Sequence, residues 1–433
     1  MQVTRGYKTE LDLNNTQRTL CLQHAGVARW AYNFGLSRKQ EAMALRKASP
    51  DPKSVTIPTA IDLHKEIVIL KHGEQSWLAE VSKCAPQQAL RNLDTAYANF
   101  FAKKGKYPKY KKRSKGIGSF FVEGAIYAGD GWVQLPVLGK VRLFEHGYIP
   151  QDKDLDKQDR HAEKKQRRTG RVGDTPFVYK SAVVSEHAGH WFVSVLIEET
   201  VPDPIPATSE AIGVDLGITT LAVGSNGKEI ANPKALRHHL NALKRAQRHL
   251  SRTKKGSKNR VKARQKVAKI HYRIANIRAD ALHQATAVMT AKTKPISERP
   301  VAIILEDLNV SGMLKNHKLA QAIADVGMGE FRRQMTYKSR WYGNALYLAH
   351  PFFPSTQLCS GCHRLPIERM DLSIRTYHCG QCGLVIDRDR NAALNLKWLY
   401  TASSAELNAC GENVRPDVLA LTAVSSKQEP SSK

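Results

Sequence analysis

Apolar positions change their period several times along this chain, and the changes divide it into segments. Residues 1–13 set Val3, Tyr7 and Leu11 among polar residues, which predicts a short strand. Asn14-Asn15-Thr16 then offers a helix cap, and Leu20, Val27, Trp30 and Phe34 keep to one helical face. A Pro-containing break at 49–58 ends that unit. A second helical stretch follows, with Leu90, Leu93, Tyr97 and Phe100 as its last apolar face, so residues 14–102 predict a small helical domain. Short β segments come next, at 119–122, 132–135, 141–143, 181–184 and 191–197, predicting a small barrel or sandwich. Residues 151–174 are rich in Asp, Lys, Arg and Gln and predict a flexible insertion.

Pro202, Pro204 and Pro206 form a linker. The segment AIGVDLGITTLAVGSNGKEIAN after it predicts two strands about an Asn226-Gly227 turn, with Asp215 inside the first. In 233–273, Leu236, Leu240, Leu243 and Leu250 hold helical spacing, as do Val267, Ile270, Ile274 and Ile277 just beyond Gly256-Ser257, which predicts a helical hairpin. PVAIILEDLN (300–309) predicts a buried strand ending in Glu306-Asp307. A helix (330–344), a strand (345–350) and a helix (391–400) follow. From 401 onward Ser, Glu, Gln and Pro dominate, and a disordered tail is expected.

Length and charge sharpen this outline. A chain of 433 residues exceeds one ordinary core, so two to four domains are expected. Lys and Arg number 67 against 39 Asp and Glu, a net charge of +28 that calls for a polyanionic partner. The excess is clustered. Residues 103–116 carry eight Lys/Arg and no acid, with Tyr107 and Tyr110 interleaved: Lys103, Lys104, Lys106, Lys109, Lys111, Lys112 and Arg113 would neutralise phosphates while the tyrosines stack on bases. Residues 233–273 carry 15 Lys/Arg and no acid. Lys244, Arg245, Arg248, Arg252, Lys254, Lys255, Lys258 and Arg260 surround the predicted hairpin tip, a second nucleic-acid surface. The N-terminus lacks the apolar core of a secretory signal, and no apolar run approaches the ~18 residues of a membrane span, so a soluble cytoplasmic protein, nucleoid-associated when on DNA, is expected.

Four of the seven cysteines form two CxxC pairs, Cys359/Cys362 and Cys379/Cys382, separated by 16 residues. Four thiolates at this spacing suit one tetrahedral Zn²⁺; the other three, Cys21, Cys84 and Cys410, are too scattered for a disulfide scaffold. Three acids, Asp215, Glu306 and Asp389, stand at apolar strand ends or before a helix, with Asp387 an alternative to Asp389. Carboxylates there are costly unless paired with cations, and hard oxygen donors suit Mg²⁺ or Mn²⁺. Two such ions about 4 Å apart would activate water and stabilise the leaving oxygen of a phosphodiester. The element order is that of a ribonuclease-H-like sheet gathering distant acids. A zinc ribbon beside such acids, in a chain this basic, points to a nuclease.

VDLG (214–217), LEDLN (305–309) and CxxC…CxxC followed by DRDRNAALN resemble the TnpB family, as do RWAYNFGL (29–36) and GKYPKYKKR (105–113). These are accessory nucleases of bacterial insertion sequences, also called OrfB-type transposases, related to type V CRISPR effectors. The resemblance implies an α+β multidomain protein: a β-barrel wedge domain from 1–13 and 118–205, a helical recognition domain at 14–117, a ribonuclease-H-like (RuvC) α/β nuclease domain from 206–354 and 386–400, a zinc ribbon at 355–385, and a tail at 401–433. It implies an RNA-guided DNA endonuclease with Asp215, Glu306 and Asp389 as catalytic magnesium ligands and Cys359, Cys362, Cys379 and Cys382 as zinc ligands. The implied partners are a guide RNA from the transposon end, a double-stranded DNA target beside a short transposon-adjacent motif, and a separate transposase of the same element. The competing readings are a transposase-class DNA-binding protein and a nuclease-inactive guided repressor; the chain lacks the His-hydrophobic-His pair of single-strand transposases, and all three acids are present. One departure is His363, where the family usually has Gly, which predicts a distorted first knuckle.

Overall fold

The computed structural model describes residues 2–113, 116–151, 177–366, 371, 374–404 and 421–424. The architecture is mixed α+β in two compact units, Met1–Pro202 and Asp203–Glu429. No helix among the described residues is long and apolar enough to cross a membrane.

The first unit opens with β1 (Gln2–Asp12), followed by α1 (Asn15–Ala48), α2 (Ala60–His72) and α3 (Cys84–Phe101). The Asn14 side chain accepts from Gln17 N while the Gln17 side chain accepts from Asn14 N, a reciprocal box that fixes where α1 starts. Then come β2 (Ser119–Glu123), β3 (Tyr127–Gly129), β4 (Trp132–Leu135), β5 (Gly139–Leu143), β6 (Phe177–His187) and β7 (His190–Thr200). They form one seven-stranded sheet in the order β2-β6-β7-β1-β5-β4-β3. The barrel expected here is not closed among the described residues. β1 pairs with β7 from Gln2 to Glu10 and with β5 only at Leu11 and Asp12, and the outermost strands, β2 and β3, are short and not paired to each other. Helices and sheet share one core, in which Leu36, Leu63, Leu90 and Leu93 belong to the same cluster as Val122, Val184 and Val193. The insertion expected at 151–174 lies, beyond residue 151, outside the described residues.

The second unit is built on β8 (Ile212–Asp215), β9 (Thr220–Gly224), β10 (Glu229–Ala231), β11 (Ala302–Glu306), β12 (Ala345–Ala349) and β15 (Leu421–Ala423), in the order β10-β9-β8-β11-β12-β15. β8, β11 and β12 run parallel; the others are antiparallel to their neighbours. The segment expected as two strands is therefore three, and Asp215 closes β8 instead of lying inside a longer strand. The chain turns at Leu216-Gly217, where a Cβ on Gly217 would stand 2.7 Å from the Thr220 carbonyl oxygen. Two basic helices, α4 (Ala235–Arg252) and α5 (Lys258–Met289), form the expected hairpin. Short helices α6 (Val310–Met313) and α7 (Ala320–Val326), neither anticipated, precede α8 (Met328–Tyr342). A two-stranded ribbon, β13 (Thr376–His378) and β14 (Val385–Asp387), leads into α9 (Arg388–Ser404).

Alternation along β11 shows how the layers form. Ile303 and Leu305 pack with Leu282 and Met289 of α5 and Phe331 and Met335 of α8; Ala302 and Ile304 face Leu396 and Leu399 of α9. A strand buried on both faces reads as the continuous apolar run seen in the sequence. The tail expected to be disordered is corrected in part: α9 runs to Ser404, and residues 421–423 add an antiparallel strand to β12. Paired backbone groups cover the edge that β12 would otherwise present.

Candidate functional site

Asp215 and Glu306 are the last residues of adjacent parallel strands. Val214 pairs with Leu305, so the two acids follow one register step later at the same end of the sheet. Asp389 arrives from the first turn of α9, and its Oδ2 stands 3.9 Å from where a Cβ on Gly217 would lie, against the β8–β9 turn. Asp215 is 7% exposed. Burial drives its carboxyl well above the usual range, and the negative charges of Glu306 and Asp389 add to the effect; Arg388 and the Leu216 N–H oppose it. Burial likewise raises Glu306, against a hydrogen bond donated by the Ser355 hydroxyl. A buried carboxyl whose ionised form is opposed by two neighbouring negative charges is a place that a cation would relieve.

Asp387 and Asp389 have separate surroundings. Asp387 Oδ1 accepts from Asp389 N (2.9 Å) and Arg390 N (3.0 Å), so that carboxylate caps α9. Asp389 carries the charged contacts, with Arg388 at 3.4 Å and Arg375 at 3.7 Å. Arg375 also donates to Thr219 Oγ1 at 3.3 Å, linking ribbon and β8–β9 turn.

The ribbon brings Cys359, Cys362, Cys379 and Cys382 together, their sulfur atoms all within 4.8 Å of one another. Among the described residues no other group of three or more candidate ligands is so close. This four-thiol cluster could hold a metal ion. The two knuckles match: His363 N donates to Cys359 O (2.8 Å) and Gly383 N to Cys379 O (3.0 Å), while Cys359 N and Cys379 N bond Arg364 O and Leu384 O. The distortion expected at His363 is absent. His363 adopts φ 53° where Gly383 has 76°, and its ring stacks on Trp398 at 4.3 Å, packing that offsets the strain. If the thiols hold zinc, Cys379→Ser removes a quarter of its donors. Bound zinc measured by emission spectrometry is expected to fall below one per chain and the melting temperature to drop; an unchanged stoichiometry would place the metal elsewhere.

Two buried asparagines explain NAALN. Asn391 Nδ2 donates to Leu358 O (2.7 Å), and Asn391 Oδ1 accepts from Ser360 N (2.9 Å). Asn395 Nδ2 donates to Ser355 O (2.8 Å) and Leu358 O (2.6 Å). Four residues apart, they share one face of α9 and clamp the segment that carries both the first knuckle and Ser355.

Three family models match the chain. A model described as a probable transposase, OrfB_IS605, matches residues 194–317; a Cas12f1-like TNB domain matches 329–396; a helix-turn-helix domain of the OrfB series matches 1–48. That last stretch is one strand and one 34-residue helix in this chain. A Streptomyces pristinaespiralis protein, named as a candidate RNA-guided DNA endonuclease, is 39% identical over 347 residues, 80% of this chain and 77% of that protein. The chain belongs to the TnpB (OrfB) family. Escherichia coli InsQ, named in the same way, is 28% identical over 432 residues, 96% of each chain. A solved Cas12f1 bound to sgRNA and target DNA covers 92% of this chain and 99% of its own at 13% identity, with a TM-score of 0.49.

The two basic segments of this TnpB-family chain belong to different units. In the first unit, Lys109, Lys111 and Lys112 border a cavity of about 1170 Å³ together with Arg29, Gln88 and Arg91. The loop is anchored: Asn33 bonds both the N–H (2.7 Å) and the carbonyl (2.9 Å) of Lys111, whose ammonium lies 4.0 Å from the Tyr32 ring centroid. Tyr110 donates to Gln40 Oε1 (2.9 Å), and Tyr107 meets the Tyr97 hydroxyl at 3.2 Å, so both expected stacking rings are held by neighbours while partly exposed. Lys103, Lys104, Lys106 and Arg113 are exposed. In the second unit, Lys244, Arg245, Arg248, Arg252, Lys254, Lys255 and Lys258 are exposed on the α4–α5 hairpin, opposite a seam of Leu243, Val267, Ile270 and Ile274. Arg260 differs. Its guanidinium donates to Leu250 O and Thr253 O (both 2.9 Å), which fastens the hairpin turn.

Proposed function

We propose that this protein is an RNA-guided DNA endonuclease of an insertion sequence, cutting DNA beside a short transposon-adjacent motif. The observation that carries the reading is the meeting of Asp215, Glu306 and Asp389 at one end of the second unit's sheet, in a chain 39% identical to a relative named for that activity. The sheet order supports a ribonuclease-H-like reading of that unit: three antiparallel strands followed by two parallel ones, with acids closing the first and fourth strands in sequence.

The three carboxylates fit two Mg²⁺ or Mn²⁺ ions. They are hard oxygen donors, and burial together with the charges of its two neighbours disfavours the ionised form of Asp215 without a cation. Ions held there would activate a water and stabilise the leaving oxygen. The protein's own contribution is positioning. Asp215 and Glu306 are fixed by strand register, Ser355 orients Glu306, and the Asp387 cap with the Asn391 and Asn395 clamps holds Asp389 in place. Arg375, half exposed beside Asp389, is placed to meet a phosphate. The four thiolates would hold one structural Zn²⁺ that stiffens the segment between Ser355 and Asp389.

Guide RNA and target DNA would be gripped through their backbones by the exposed lysines and arginines of both units, with sequence read by base pairing. A separate transposase would move the element. Sequencing the RNA that co-purifies from host cells tests the reading. A dominant species with a fixed 5′ scaffold and variable 3′ end is expected, and DNA matched to that 3′ end should be cut with Mg²⁺. Bulk cellular fragments alone would point to an unguided DNA-binding protein. Binding should also weaken steeply with salt, by about 10³-fold between 50 and 200 mM if roughly six phosphates are contacted. A filter-binding titration that stays flat over this range would remove the basic hairpin as a binding surface.

A further inference from the structure

Phe352 is 81% exposed, the most exposed of the large hydrophobic side chains among the described residues. It sits on a turn tied at both ends to the acid centre. At the start, Ala349 pairs with Glu306 across β12 and β11; at the end, the Ser355 hydroxyl donates to Glu306. Phe352 and Ser355 are three positions apart, so their Cα atoms lie within about 11 Å of each other.

The turn is rigid. Pro351 and Pro354 restrict its backbone, Phe353 N donates to His350 O (2.9 Å), and Ser355 N donates to Phe353 O (2.9 Å). Phe353 is buried in the core under α9, which leaves Phe352 directed outward. The His350 ring lies 5.7 Å from the Phe352 ring and its Nδ1 accepts from Phe352 N (3.3 Å), backing the exposed ring from one side. An exposed aromatic on a pre-ordered turn loses little further entropy when it is covered. Its flat face suits a nucleobase, and stacking of this kind tolerates any base.

We infer that Phe352 stacks on a base of the DNA strand being cut, close to the scissile phosphate, and so acts as a positioning residue for the acid centre. The inference rests on the function proposed above. The test uses the full chain with its co-purified RNA and matched DNA carrying 2-aminopurine at single positions around the mapped cut. In an Asp215→Asn background, where the DNA stays intact, the 2-aminopurine signal is expected to be quenched at one position beside the cut and to be released by Phe352→Ala. With Asp215 restored, Phe352→Ala should slow cleavage about 10-fold, Phe352→Trp should restore it and Phe352→Leu should not. Zinc content and melting temperature should match wild type in all three. Wild-type cleavage and unchanged fluorescence in Phe352→Ala overturn this inference alone. Failure of the wild-type protein to cut any matched DNA overturns the functional reading, and this inference with it.

Discussion

Asp215→Asn is expected to lower DNA cleavage by about 10³-fold or more while leaving the co-purified RNA unchanged in amount and sequence. The substitution keeps the shape of the side chain and removes one charge, so the packing of β8 between α9 and α5 is undisturbed. What is lost is a carboxylate at the centre of the acid cluster. Asp215 is the residue whose ionised form is opposed by both other acids and by burial, which would make it the shared ligand of the proposed two-ion site. The same fact predicts the sign of the stability change. A buried carboxylate facing two others destabilises the cation-free fold, so the Asn variant should melt no lower than wild type in chelator. Cleavage at the wild-type rate would remove Asp215 from the chemistry. Loss of cleavage with a large fall in melting temperature would show instead that the side chain is structural. RNA retention separates the two lobes of the argument, because the basic surfaces carry no part of the acid cluster.

Much of this architecture was legible from residue patterns, for identifiable reasons. The α4–α5 hairpin has an unbroken helical period, and the seam residues expected from it, including Leu243, Val267, Ile270 and Ile274, are those that pack. β11 reads as a strand because both of its faces are buried. The pattern failed where single residues turn the chain. Residues 216–219 split one apolar run into two strands, and Gly217 is the single turn-favouring residue among them. The residues that organise the site were harder still. Ser355 reaches Glu306 from 49 positions away, and Asn391 and Asn395 reach back to the knuckle segment, so none of these contacts has a local signature. A signal did exist for the asparagines: two amides four apart on an apolar helix must find partners when buried. His363 misled in the opposite direction. Glycine is favoured at a positive φ, but Trp398, 35 positions along the chain, supplies a stacking contact that holds histidine there.

Gly213→Ala should be strongly destabilising to the second unit. A Cβ at this position would lie 2.1 Å from the Ala393 carbonyl oxygen, 2.5 Å from Lys397 N and 2.7 Å from the Leu396 Cβ. The first two are backbone atoms of α9, so no side-chain rotation makes room; the helix must lift from β8. Overpacking of this kind costs roughly 1–3 kcal/mol, and more where rigid elements meet, so a loss near 3 kcal/mol is expected in denaturant unfolding. Lifting α9 also moves Asp389 away from Asp215 and strains the Asn391 and Asn395 clamps on the ribbon, so cleavage should fall with stability. Gly329→Ala is the matching control. It lies exposed in α8 with open space around its missing Cβ, and alanine there should be neutral or stabilise by about 0.5 kcal/mol. If the Gly213 variant proved as stable as the Gly329 variant, α9 would not sit on β8 as closely as described, and the seat of Asp389 would have to be redrawn.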